Sequence, residues 1–200
     1  SSDAERDFRR LTALALSCDL TRVVTYTALL PNVTDVGGAP GSDLHERYAH
    51  TSGIGEPGYD PMGETVMTEM NRRYARDFSA LLDELASVPE GEGTLLDHTT
   101  VVWTSELATG THPHHDLPIV LAGGANGFFR TGRRVRYPQN LTVPFSWSAP
   151  YGIGPAHTRL YVTLLRAAGL PDETFGSYTS VTGTDGTPHP LSGTLTELHV

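Results

Sequence analysis

Three features are scarce in this sequence: cysteine, positive charge and long apolar runs. Cys18 is the only cysteine, so no disulfide can form within the chain. The 14 Lys and Arg residues are outnumbered by 23 Asp and Glu residues, which gives a net charge of −9. Phosphate contacts require clustered positive charge, and no apolar run reaches the ~20 residues that span a bilayer. The sequence therefore predicts neither a nucleic-acid partner nor a membrane-spanning segment.

Apolar residues at three- and four-residue steps predict three amphipathic helices. The clearest covers Glu64–Val88, and the others cover Asp3–Cys18 and Ala156–Ala168. In the first helix, Phe8, Leu11, Leu14 and Leu16 form the predicted inward side, and Cys18 is interpreted as a buried, inert thiol.

Runs rich in β-branched residues predict strands over Arg22–Leu30, Thr99–Thr104 and Leu117–Ala122, with a hairpin arm over Phe128–Tyr137. Between the first strand and the second helix lies a long, structureless stretch, Pro31–Asp60. Alternating strands and helices are typical of a layered α/β/α domain with a mixed or mostly parallel sheet. We expect one such domain over residues 1–200, with an irregular tail over residues 170–200.

Three polar groups adjoin the predicted strands, and ligands bind beyond the carboxyl ends of strands in sheets of this kind. The first group, Asp43, His45 and His50, follows the first strand. Glu106 ends the second strand, and a loop with His112, His114 and His115 precedes the third strand. Imidazoles and carboxylates that converge in this way are the donors of a zinc-like or mixed divalent site. The candidate ligands are Asp43, His45, His50, Glu106, His112, His114 and His115.

Each of these residues could instead have no ligand role. Histidines are common in exposed turns, and Glu106 could be a solvated residue at a strand end. The sequence contains no GxSxG elbow and no P-loop. The segment 123–127 is interpreted as a turn after a buried strand. The polar groups are therefore the best candidate for chemistry.

Four segments carry a resemblance to a known family: ALSCDLTRVVT near the start, GTLLDHTTVVWTSE, HPHHDLPIVLAGG and LLRAAGLPDETFG, in this order. Together they resemble the C-terminal part of a secreted bacterial family known as domain of unknown function 1552. The chain is also similar to the sister family, domain of unknown function 1501, which resembles the alkaline phosphatase and sulfatase superfamily. This resemblance covers most of the chain.

The resemblance implies an alkaline-phosphatase-like fold and a divalent metal, which would be zinc, calcium, manganese or magnesium. The superfamily's Asp-x-His resembles Asp43-Leu44-His45, its acidic ligand resembles Glu106, and its late histidine resembles His114 or His115. The function that the resemblance implies is hydrolysis of phosphate or sulfate esters. Because the bacterial family it resembles is secreted, the resemblance also implies a secreted or periplasmic protein. A departure is Leu107, where a phosphatase often has histidine.

A second departure concerns the nucleophile, which lies in the N-terminal half of the superfamily fold. We therefore expect this chain to be a fragment or subunit whose nucleophile comes from sequence outside it. Too few strong strands are present for a complete sheet, so a mate chain or self-association is expected to complete it. The alternative function is a secreted binding or assembly module that keeps the fold without the chemistry.

Overall fold

The computed structural model describes residues 3–112, 116–139, 141–143 and 151–200. The chain divides into two compact units. The first unit comprises Ser1–Leu96 and Trp103–Val120, and the second comprises Asp97–Val102 and Leu121–Val200. Among the described residues, no helix is both long and apolar enough to cross a membrane, as the sequence predicts.

The three predicted helices are present. They are α1 (Asp3–Ser17), α2 (Pro61–Ala86) and α4 (His157–Ala167), and a short α3 covers Leu95–His98. Asp60 caps the start of helix α2, because its carboxylate accepts a hydrogen bond from the Met62 N–H. Pro61 lies in the first turn of the helix. Proline suits this position because the first turn leaves its N–H groups without helical partners. The long helix is therefore fixed at its start by local chemistry.

The core of the first unit forms where α2 meets the segment that precedes it. Val36, Tyr48 and Val66 are buried together, and Val33, Leu44, Met67 and Met70 pack around them. Val36 belongs to a 3-10 turn (Val33–Val36), and Tyr48 belongs to a π-helical turn (Leu44–Ala49). The predicted structureless stretch Pro31–Asp60 thus contains two ordered turns that contribute to the core.

The prediction for the inward side of α1 is wrong. Phe8, Leu11 and Leu14 are exposed, whereas Glu5 and Arg9 are buried. These buried charges pair with α2: Arg9 lies 3.4 Å from Asp77, and Arg73 lies 3.4 Å from Glu5. Periodicity locates an apolar face but does not say which face meets the neighbouring helix. Cys18, just beyond α1, is also exposed rather than buried.

Removing the buried side chain of Leu85 should cost far more stability than removing an exposed leucine. Leu85 is 1% exposed on α2, whereas Leu14 is 57% exposed on α1. Leu85→Ala should lower the free energy of unfolding by about 2–5 kcal/mol because it leaves a cavity. Leu14→Ala should change it by less than about 0.5 kcal/mol. Urea denaturation of both variants measures the difference, and equal losses would contradict this packing.

The predicted strand Arg22–Leu30 is wrong for the described structure. Residues 22–32 form no regular secondary structure, and residues 24–31 make no backbone–backbone hydrogen bond to other described residues. Several of their apolar side chains are exposed, Val23 at 81% and Leu30 at 74%. A strand needs a partner to satisfy its N–H and C=O groups. This segment has strand composition without such a partner among the described residues.

The described strands are short, and they pair in four two-stranded sheets. These sheets join β1 (Pro89–Glu90) to β2 (Gly93–Thr94), β3 (Val101–Trp103) to β4 (Val120–Ala122), β5 (Leu141–Val143) to β6 (Tyr151–Ile153), and β7 (Ser180–Thr182) to β8 (Pro188–Pro190). The first, third and fourth sheets are antiparallel. The described residues contain no larger layered sheet, and the α/β/α class stays a prediction.

In the second unit, α4 buries Leu160, Val162 and Thr163. The Thr163 hydroxyl donates to the Arg159 carbonyl and accepts from the Leu195 N–H, which ties the C-terminal segment to the helix. Strands β7 and β8 form a hairpin within the region predicted as an irregular tail. Among the described residues, no strand forms within the predicted hairpin arm Phe128–Tyr137. Phe129 in this segment makes an isolated antiparallel β-bridge to His199.

Candidate metal centre

The π-helical turn Leu44–Ala49 brings two predicted ligands together. Its backbone bonds span five residues, as the His50 N–H donates to the His45 carbonyl at 3.2 Å. Side chains five residues apart therefore lie on one side of the turn. The Nε2 atoms of His45 and His50 are 3.0 Å apart, and their rings meet edge to face at 4.6 Å between centroids.

Four contacts hold this turn in place. Asp43 caps it, because its carboxylate accepts from the Glu46 N–H at 2.8 Å. The buried Tyr48 oxygen accepts from the Ser42 hydroxyl at 3.0 Å and the Ala39 N–H at 2.8 Å, and these donors lower the pKa of Tyr48. An ion pair of 2.9 Å joins Arg47 to Asp60 at the start of α2. These contacts therefore fix the backbone that carries His45 and His50.

The third imidazole comes from the loop after β3. His112 has φ of +63°, and its N–H closes a turn on the Thr109 carbonyl at 3.1 Å. Its ring centroid lies 4.9 Å from that of His50 and 6.2 Å from that of His45. One ligand atom from each of His45, His50 and His112 lies within 4.8 Å of the others.

A backbone carbonyl orients the central histidine. His50 Nδ1 lies 2.6 Å from the Gly110 oxygen. A carbonyl only accepts hydrogen bonds, so Nδ1 carries the proton and the lone pair of the neutral ring lies on Nε2, which faces His45. Ligating histidines in proteins commonly have such a partner on the second nitrogen.

The close approach of the two loops requires a glycine at position 110. A Cβ built there would lie 2.1 Å from the Ala49 oxygen and 2.7 Å from the His50 Cα. Both distances are far shorter than a van der Waals contact. Gly110 is a residue of the candidate site that the sequence analysis missed, although its place two residues before His112 was a usable signal.

Glu56 contacts the loop that carries Gly110 and His112, and the sequence analysis did not identify it either. Its Oε1 accepts hydrogen bonds from the hydroxyls of Thr109 at 2.7 Å and Thr111 at 2.9 Å. These two threonines flank Gly110. The other carboxylate oxygen, Oε2, is buried and has no hydrogen-bond partner among the residues that the structure describes.

The cluster fits a single transition metal. In a tetrahedral site with zinc–nitrogen bonds of about 2.0–2.1 Å, ligand nitrogens lie roughly 3.3 Å apart, so small side-chain movements would close the site. Three imidazoles favour zinc or its neighbours, whereas magnesium and calcium prefer oxygen. His45 and His112 are exposed, so one side of the cluster faces solvent.

The other candidate ligands have different places. Asp43 is the cap of the π-helical turn, and Glu106 is exposed three residues beyond β3; neither belongs to the cluster of described ligand atoms. Glu46 is the nearby carboxylate instead, with an oxygen 3.9 Å from His45 Nε2. His114 and His115 lie outside the described residues.

Comparison with protein-family models, with curated proteins and with solved structures finds no match to this chain. The resemblance to the alkaline phosphatase superfamily therefore stays a prediction. The geometry of the three histidines is the basis for a proposed function.

Proposed function

We propose that this protein binds one divalent transition metal through His45, His50 and His112. The observation that carries the proposal is the mutual approach of three imidazole nitrogens within 4.8 Å, contributed by two separate loops. Neutral imidazoles of this kind are the commonest metal ligands in proteins. Zinc is the favoured ion because all three donors are nitrogen.

We further propose that the metal serves a hydrolase that acts on phosphate or sulfate esters. Three protein ligands with an exposed side are typical of catalytic zinc sites, whereas structural sites are closed by four protein ligands. A bound metal would supply Lewis acidity and neutralise the charge that develops on an ester oxygen. The expected location is secreted or periplasmic.

Zinc and phosphate binding test the two parts of this proposal separately. After zinc loading and desalting, the purified chain should retain about one zinc per chain. Isothermal titration with inorganic phosphate should show binding to the zinc-loaded protein and none to the metal-free protein. Retained zinc without phosphate binding would contradict the hydrolase and leave the metal site, and loss of all zinc on desalting would contradict both.

A second candidate function is self-association through residues 20–30. Leu20, Val23, Leu29 and Leu30 are exposed apolar residues on a segment with strand composition. Residues 24–30 of that segment have no backbone pairing among the described residues. A segment with unpaired backbone N–H and C=O groups offers them to a strand of another chain. This candidate corresponds to an assembly protein, and the partner it requires is a strand from a second copy.

Light scattering across protein concentration tests this candidate. Wild-type protein should show a mass that rises with concentration. Val23→Lys should shift the chain to the monomer, because a charged side chain is costly to bury in the contact. Val200→Lys, at another exposed apolar position, should have no effect. A wild-type chain that stays monomeric at all concentrations would contradict self-association.

A further inference from the structure

We propose that Glu56 is a positioning residue of the metal centre, which acts through Thr109 and Thr111 to fix the Gly110 carbonyl against His50. The inference rests on the proposed metal-binding function, because it assigns a role within that site. Glu56 does not belong to the cluster of ligand nitrogens. Glu56 acts on these nitrogens through the backbone of residues 109–112.

The carboxylate holds both sides of the residue that contacts His50. Thr109 and Thr111 each donate to the same Glu56 oxygen, at 2.7 Å and 2.9 Å, and their hydroxyls lie 3.1 Å apart. Hydrogen bonds to an ionised acceptor are stronger than neutral ones. The short segment between the two threonines is therefore clamped at both ends.

Clamping that segment sets the direction of the Gly110 carbonyl, which lies 2.6 Å from His50 Nδ1. The same bond assigns the proton to Nδ1 and leaves Nε2 as the ligand atom. A loop free to rotate would let His50 adopt the other tautomer, in which Nε2 carries the proton and cannot bind a metal. Glu56 thus preorganises the central ligand.

The Glu56 Oε2 atom is buried without a hydrogen-bond partner in the described part of the chain, which indicates that this carboxylate is retained at a cost. A buried polar atom without a partner is unfavourable, so a residue placed only for stability would be better satisfied. Gly53 leaves the space that Oε2 occupies, since a Cβ there would lie 2.2 Å from it. The absence of a side chain at Gly53 therefore leaves space for the Glu56 carboxylate next to Thr109 and Thr111.

The test compares Glu56→Ala with Glu56→Gln by two readouts. In the metal-free protein, ¹⁵N NMR should show the Nδ1–H tautomer of His50 in wild type and a tautomer mixture in Glu56→Ala. The zinc Kd should rise about 10–100-fold in Glu56→Ala, as for other residues that orient a ligand. Glu56→Gln keeps an oxygen acceptor for both threonines and should stay within about threefold of wild type.

Two controls keep the outcome clear. Glu69→Ala removes a half-buried carboxylate on α2 that pairs with Arg72, and it should change neither readout. Where Glu56→Ala fails to fold, Thr111→Val removes one of the two donors with little change of shape, and it should shift the tautomer and the zinc Kd in the same direction.

The tautomer readout needs no metal, so the two proposals can fail independently. A wild-type protein that binds no zinc but shows the Nδ1–H tautomer only with Glu56 intact would contradict the metal site alone. A folded Glu56→Ala protein with wild-type tautomer and wild-type zinc affinity would overturn the role of Glu56.

Discussion

His50→Ala should weaken zinc binding by about 100-fold or more. Structural zinc sites bind with about 10–16 kcal/mol over four ligands, so one lost ligand costs roughly 3 kcal/mol, and each 1.4 kcal/mol is tenfold in Kd. His50 is the central residue, since its ring lies closest to both other imidazoles and also bonds to Gly110. Competition with a chromophoric chelator measures the Kd.

His157→Ala is the matched control, because it removes an imidazole at the start of α4, outside the cluster. It should leave the zinc Kd unchanged. Thermal unfolding of both metal-free variants separates a lost ligand from a lost fold, because the ring of His50 is only half-buried and its removal should leave the core intact. Equal Kd values for His50→Ala and wild type would show that zinc binds elsewhere.

Gly110→Ala should disable the centre although it changes no ligand. The added methyl group would lie 2.1 Å from the Ala49 oxygen, and backbone at that distance cannot yield as a flexible side chain can. The two loops must separate, which breaks the bond between His50 and the Gly110 carbonyl and moves His112 away. We expect zinc affinity to fall at least tenfold, as when an orienting partner is removed.

Gly132→Ala distinguishes this effect from a general cost of replacing glycine. Gly132 has φ of +72°, and a methyl group added there would meet nothing within 4 Å, so alanine would be strained without a clash. It should lower the melting temperature and leave the zinc Kd as in wild type. Gly110→Ala with wild-type zinc affinity would mean that the close approach of the loops is not needed.

The helices were predictable because their signals are local. Apolar periodicity located α2 and α4, and Asp60 with Pro61 is a recognisable helix start. The burial of α1 was not predictable in the same way. Its inward face carries Glu5 and Arg9, and these side chains are buried only because Arg73 and Asp77 lie opposite on α2. Such pairing depends on tertiary structure.

Part of the histidine cluster was predicted, and metal binding by it stays a prediction. His45, His50 and His112 were among the seven candidates, and the structure brings these three together. Asp43 was included because it follows the first predicted strand, yet its carboxylate caps the π-helical turn. The five-residue spacing of His45 and His50 does not fit an α-helical face, so a π-helical turn was required to align them and could not be foreseen from α-helical periodicity.

Anomalous diffraction from a zinc-loaded crystal, recorded above and below the zinc absorption edge, tests the three-histidine site most directly. We expect one strong peak about 2.0–2.1 Å from a nitrogen of each of His45, His50 and His112. A peak bound only by other residues, such as His114 and His115, or no peak in a crystal soaked to saturation, would contradict this site.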